Sequence, residues 1–119
     1  MKTNELIVIL GASTNPNRTS YMADVLLNKK GFETLQVSDI QAINSLHYKK
    51  CLSEKQKTIT VFLKPKQQKK YYDYVISLKP KRIIFNPGTE NEELIALALQ
   101  HNIKVMTGCT IAMLMNSLL

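Results

Sequence analysis

The first place in this sequence where chemistry could happen is a glycine that ends an apolar run and opens a polar, basic loop. Leu6-Ile7-Val8-Ile9-Leu10 is followed by Gly11-Ala12-Ser13-Thr14-Asn15-Pro16-Asn17-Arg18 and then by Thr19-Ser20-Tyr21-Met22-Ala23. Branched residues in a row, without alternation, read as a strand covered on both faces, as at the centre of a parallel sheet. Gly11 permits a tight turn and lets a ligand come close to the backbone. The next segment opens a helix whose first N–H groups have no partner within the helix. Together with the helix dipole they attract an anion, most often a phosphate. Arg18 then places a cation beside that anion. A plain strand-turn-helix corner, with Arg18 a solvated charge, fits these residues equally well.

Other chemistry-bearing residues are sparse. His47 and His101 are the only histidines, and neither has a carboxylate or cysteine at ligand or triad spacing. His101 sits near a helix end, where histidine commonly meets the last carbonyls. Cys51 and Cys109 lie far apart with no C-x-x-C pattern, so neither a disulfide framework nor a zinc site is indicated. Cys109 follows Gly108 and is the better nucleophile candidate, although a buried small apolar side chain is the commoner role for such a thiol. Glu90, Glu92 and Glu93 suit a helix start better than paired acid–base work. The residues therefore nominate no catalytic group and no metal ligand set.

Composition narrows the classes. The 119 residues are read as a single domain, 1–119, with a formal charge of +7. Between Lys49 and Arg82 stand eleven Lys or Arg against two acids, Glu54 and Asp73. Such a face could attract nucleic acid or a polyanionic small molecule, or be simply solvated. Tyr71, Tyr72 and Tyr74 fall on a helix and not on a sheet face, so the stacking platform of an RNA reader is missing. No uncharged apolar run reaches 18 residues, and Lys2 is followed by Thr3, Asn4 and Glu5 with too short an apolar run for a signal peptide. No membrane association and a cytoplasmic location are the expectation; self-association is not readable.

The elements that must position the loop follow in order. Thr19 or Ser20 caps a helix to about Lys30, with Met22, Val25 and Leu26 at the spacing of one buried face, and Gly31 suits its end. Phe32–Val37 alternates as a second strand, which completes a strand-helix-strand unit. Ser38 and Asp39 follow at the same sheet edge as Gly11. The stretch from Ile40 to Lys57 gives no clear assignment. Thr58–Leu63 is a strand that stops at Lys64-Pro65. From Lys66 to Lys79 the spacing of Tyr71, Tyr74, Val75 and Leu78 predicts a helix with a core stripe. Arg82–Phe85 is a buried strand, and Asn86-Pro87-Gly88-Thr89 a loop at its carboxyl end. Thr89 with Glu92 suits a capping box for a helix to about Asn102. Ile103–Met106 is a last strand, and Ile111–Leu119 packs back as a short helix or turn. The fold class is α/β: a single doubly wound, Rossmann-like domain with a mostly parallel sheet of about five strands. Ligands of such sheets bind outside the carboxyl ends of the strands, which points to the loops at Gly11, Ser38, Lys64 and Asn86.

These loops carry a resemblance over nearly the whole chain. Gly11-Ala12-Ser13, Asn15-Pro16-Asn17-Arg18, Ser20-Tyr21, Lys30-Gly31-Phe32-Glu33, Asn86-Pro87-Gly88-Thr89-Glu90-Asn91-Glu92-Glu93 and Cys109-Thr110 together resemble the small bacterial CoA-binding proteins. These are Rossmann-like domains similar to the nucleotide-binding domain of the succinyl-CoA synthetase alpha subunit. The resemblance implies non-catalytic binding of coenzyme A or acyl-CoA, a small-molecule nucleotide ligand, through residues Gly11, Ala12, Ser13, Asn15, Arg18, Ser38, Lys64 and Asn86. The pyrophosphate would lie at the Gly11–Ser13 turn and the nucleotide near Arg18 and Ser38. Lys64 stands where these proteins often carry an arginine, and would meet phosphate as a mobile point charge. No catalytic histidine carries over.

Asp39 motivates an alternative, an NAD(P)-binding oxidoreductase-like protein. An aspartate after the second strand can hold a ribose 2′-hydroxyl, and it would repel the 3′-phosphate of CoA. Against this, the loop has one glycine and not G-x-G-x-x-G.

Overall fold

Strand β1 spans Glu5–Leu10 in a computed structural model of the chain, and all of its residues are buried. The structure describes residues 5–38 and 56–119. The elements that follow β1 are α1 (Thr19–Lys29), β2 (Glu33–Val37), β3 (Gln56–Val61), α2 (Pro65–Gln68), a 3₁₀ turn (Lys69–Tyr71), α3 (Tyr72–Ser77), β4 (Arg82–Phe85), α4 (Glu92–Gln100), β5 (Lys104–Thr107) and α5 (Thr110–Met115). The strands lie in the order β2-β1-β3-β4-β5, and every pairing is parallel. The fold is the α/β Rossmann-like one that the strand-helix alternation implied.

Side chains of a strand alternate between its two faces, so β1 feeds both halves of the core. Ile7 and Ile9 pack with Leu27, Phe32 and Leu114, which covers one face with α1 and α5. Leu6, Val8 and Leu10 pack with Tyr71, Val75, Leu78, Leu94 and Ala98, which covers the other with α3 and α4. The chain goes from β1 out to β2, then back past β1 to β3 and onward. The direction of winding thus reverses between β1 and β3.

Three helices differ from the sequence expectation, and β3 runs Gln56–Val61 where Thr58–Leu63 was expected. The cap of α1 is Arg18 rather than Thr19 or Ser20, and the helix turns Ser20, Ala23 and Leu27 inward, Leu27 against Ile7 and Ile9, so that Met22 and Val25, expected on its buried face, are exposed. The cap of α4 is Asn91 rather than Thr89, because the Asn91 side-chain oxygen accepts from the Glu93 and Leu94 amides at 3.1 and 3.3 Å. The Thr89 hydroxyl instead donates to the Asn86 carbonyl at 2.7 Å. The helix expected from Lys66 to Lys79 is divided by the 3₁₀ turn. Gln68 and Tyr71 are both buried, and a 3₁₀ turn, in which residues three apart eclipse, brings that pair to one side where an α-helix would fan them out. Pro65 occupies the first turn of α2, with Lys64 in the extended conformation that a following proline imposes.

At the amino edge of the sheet, away from the loops of interest, the Glu5 carboxylate accepts from the Thr58 hydroxyl. It also pairs with Lys81 at 3.1 Å and Arg82 at 3.3 Å. A carboxylate only 8% exposed requires such partners. Two cations of the basic stretch therefore serve the fold. Asp39, His47 and Cys51 lie outside the described residues.

Gly11 has φ +97°, and a Cβ there would come within 3.0 Å of the Leu63 side chain and 3.2 Å of its amide nitrogen. Gly88 also has positive φ, +88°, but no atom lies within 4 Å of the place its Cβ would take. Gly11→Ala is expected to cost about 2–4 kcal/mol in urea unfolding, since conformational strain and overpacking add. Gly88→Ala should cost about 1 kcal/mol. Equal costs for the two would contradict the packing described.

Candidate functional site

A parallel sheet whose winding reverses leaves a crevice outside the carboxyl ends of the strands at the reversal. A cleft of about 490 Å³ lies there, lined by Asn17, Arg18, Thr19 and Ser20 after β1, Phe62 after β3, Asn86, Pro87 and Thr89 after β4, and Cys109 after β5. Each wall is the segment that follows a strand.

The loop after β1 is braced from within. The Gly11 and Ala12 amides both donate to the Val37 carbonyl at the end of β2, at 2.8 and 3.2 Å. The Ser13 hydroxyl oxygen accepts from the Asn15 amide and the Asn15 side-chain oxygen from the Asn17 amide, each at 3.0 Å. These bonds fix the corner and aim the start of α1 into the cleft. They also engage the Gly11 and Ala12 amides, and the Tyr21 and Met22 amides bond the Arg18 carbonyl at 3.1 and 3.2 Å, which leaves the Thr19 and Ser20 amides as the first-turn donors of α1 without a partner among the described residues. That turn has no side-chain cap and no acid. Arg18 is exposed, and among the described residues no carboxylate pairs with it.

The opposite walls rest on two buried amides. Asn86, 4% exposed, donates from Nδ2 to the Thr60 hydroxyl and the Val61 carbonyl, both at 2.8 Å, and its Oδ1 accepts from the Thr110 amide at 2.8 Å. The Thr60 and Thr110 hydroxyls meet at 2.7 Å. This set joins β3, β4 and the first turn of α5 beneath the cleft. Gln68, with no exposed surface, donates to the Leu63 and Thr89 carbonyls at 2.8 Å and accepts from Asn91 at 2.9 Å. Asn91 donates as well to the Tyr72 hydroxyl at 2.8 Å. The turn after β3 and the loop after β4 are thus held at a fixed separation. Burial holds the Tyr72 hydroxyl pKa above its ordinary value and the Glu93 carboxylate adds to this, against the hydrogen bond from Asn91.

Of the residues expected at the site, Arg18 and Asn86 line the cleft. The Asn86 side chain faces inward to its own partners, which makes it a positioning residue. Gly11, Ala12, Ser13 and Asn15 form the braced corner beside the cleft. Ser38 and Lys64 are exposed at the ends of β2 and β3 and do not line this cleft. Sequence reasoning did not single out Phe62, Thr89 or the Thr19-Ser20 turn as lining residues. Phe62 immediately follows β3, so the rule that placed the site at strand ends was the available signal. Cys109, half-buried, lines the cleft as the cap residue of α5. His101 contacts the Leu97 carbonyl at 3.0 Å near the end of α4, as its position implied. Among the described residues no cluster of three or more His, Cys, Asp or Glu could hold a metal, and no helix is long and apolar enough to cross a membrane.

Comparison with known proteins agrees with this fold. The family model for a CoA binding domain matches residues 5–115. An uncharacterised protein of known crystal structure is similar at 36% identity, with 96% of this chain and 97% of that one covered and a TM-score of 0.81. A Thermus thermophilus protein shares the fold at 17% identity, 97% and 90% coverage and a TM-score of 0.76. A hypothetical protein from Pyrococcus horikoshii OT3 does so at 18% identity, 94% and 82% coverage and 0.73. A search of curated proteins found no match.

Asn86→Leu keeps the side-chain size and removes the bonds beneath the cleft. It is expected to cost about 2–4 kcal/mol by urea unfolding, because the Thr110 amide and Val61 carbonyl lose buried partners; a cost below about 1 kcal/mol would contradict the arrangement. Tyr72 binds its proton more tightly folded than unfolded. Its contribution is therefore complete below pH of about 10 and is lost as pH rises through the raised folded value. The urea midpoint should fall at alkaline pH and fall less in Tyr72→Phe; identical alkaline slopes would refute the environment assigned to Tyr72.

Proposed function

We propose that this chain, which belongs to the CoA-binding domain family, binds coenzyme A or an acyl-CoA in the cleft without catalysing a reaction on it. The observation that carries this reading is the unequal treatment of two helix starts at the same sheet edge. The first turn of α4 is capped by Asn91 and holds Glu92 and Glu93, which neutralise its dipole from within the protein. The first turn of α1 has neither cap nor acid, and Arg18 adds a positive charge to it. An anion from outside satisfies those amides and that charge together, and the diphosphate of CoA is such an anion.

The braced corner at Gly11, Ala12, Ser13 and Asn15 presents α1 to the diphosphate. Lys64 and Ser38, at neighbouring strand ends, lie where the outer parts of a nucleotide would extend over the carboxyl edge, with Lys64 available to a phosphate as a mobile charge. Among the described lining residues none carries an imidazole, carboxylate or amine. That set suits retention of a ligand more than acid–base chemistry on it.

Millimolar CoA should raise the thermal midpoint of the protein. Arg18→Ala should weaken CoA binding by about tenfold at low salt, since a charge-assisted contact to phosphate is lost. Absence of any stabilisation by CoA would end this reading, and NAD stabilising as strongly as CoA would favour a dinucleotide ligand in its place.

A further inference from the structure

Following the sheet order, the cleft is lined by the start of α1 after β1, Phe62 after β3, Pro87 after β4 and Cys109 after β5. The first carries the Arg18 cation, whereas the other three side chains carry no charge. Phe62 stands next to the α1 corner. Its amide donates to the Leu10 carbonyl at 2.8 Å, one residue before Gly11, and its half-buried side chain packs on the Ile7, Ile9 and Leu27 cluster that α1 covers. The polar side chains beside Phe62 and Pro87 are already engaged. Asn86 Nδ2 donates to the Thr60 hydroxyl and the Val61 carbonyl, its Oδ1 accepts the Thr110 amide, and the Thr89 hydroxyl donates to the Asn86 carbonyl. A purine edge or a ribose hydroxyl placed there would leave water and find few partners. A branched alkyl group would gain by leaving water.

The chemistry of CoA then decides which part of it lies beside the α1 start. Next to its diphosphate, after an ester oxygen and a single methylene, comes the pantoyl carbon that bears two methyl groups. In a dinucleotide a second ribose follows the diphosphate instead. We infer that Phe62 and Pro87 seat this dimethyl carbon and so set CoA apart from a dinucleotide; this rests on the CoA reading above, with the diphosphate at α1. The adenosine leaves the diphosphate in the other direction, toward Ser38 after β2, which lies on the side of β1 away from β3.

Calorimetric titrations with CoA, with a CoA analogue lacking the two pantoyl methyls, and with adenosine 3′-phosphate 5′-diphosphate, which lacks the whole arm, test this. Each methyl removed from water is worth roughly three- to fourfold in affinity, so CoA should bind ~tenfold more tightly than the demethylated analogue. In Phe62→Ala/Pro87→Ser that ratio should fall to about threefold or less. The ratio compares two ligands on one protein, so a general loss of stability does not move it. Pro87→Ser alone, at an exposed position, should about halve it. Equal binding of CoA and the demethylated analogue by the wild-type protein would overturn the inference and leave the CoA reading intact. Absence of binding by either would overturn the CoA reading and this inference with it. A ratio unchanged in the double variant would overturn the assignment to Phe62 and Pro87. So would a double variant that loses as much affinity for adenosine 3′-phosphate 5′-diphosphate as for CoA, since the base and not the arm would then lie on these residues.

Discussion

The amide of Asn86 is the constraint beneath the candidate site. Three strand-end or helix-start backbones converge below the cleft, and backbone groups removed from water need partners. One short side chain supplies both donors and an acceptor to β3 and the start of α5 at the same time. Any rearrangement that widened or closed the cleft there would strand at least one buried group. Gln68 does the same one layer out, between Leu63 and Thr89. Fully satisfied buried networks of this kind favour a single arrangement over many similar ones. The cleft is therefore a built cavity rather than slack between loops.

Against that rigid floor, the electrostatic asymmetry of the rim gives the site its sign. A helix start is satisfied either by the protein's own side chains or by something it binds. At α4 the protein supplies the side chains; at α1 it supplies Arg18 and leaves the Thr19 and Ser20 amides without a partner among the described residues. The Gly11 and Ala12 amides, bonded to Val37, hold the corner so that α1 keeps its aim. The same helix then presents Met22 and Val25 to solvent.

Much of this was legible before the structure. The uninterrupted run Leu6–Leu10 reads directly as a central parallel strand, and the order of elements as a parallel sheet with flanking helices, although β3 stops at Val61, before Pro65 is reached. The site was harder to read, because its residues are chosen by long-range partners. Thr89 has a capping residue's chemistry, yet its hydroxyl goes to the Asn86 carbonyl, and Asn91 takes the cap. Gln68 stands amid lysines, yet it is completely buried, bonded to Leu63 just before it and to Thr89 and Asn91 in the distant loop after β4. Gly11 and Ala12 looked like phosphate donors, and only the pairing with β2 reveals that their amides are engaged. Local propensity places elements; which polar group meets which across the sheet is decided by tertiary packing.

The central claim is that the anionic part of the cofactor sits at the uncapped start of α1. Amide chemical-shift mapping on the ¹⁵N-labelled protein during a CoA titration tests it most directly. The largest changes should fall at Asn17–Tyr21, with smaller ones at Thr89 and Thr110 across the cleft. Changes confined to the lysine-rich segment Lys66–Lys70, with Asn17–Tyr21 unmoved, would contradict it.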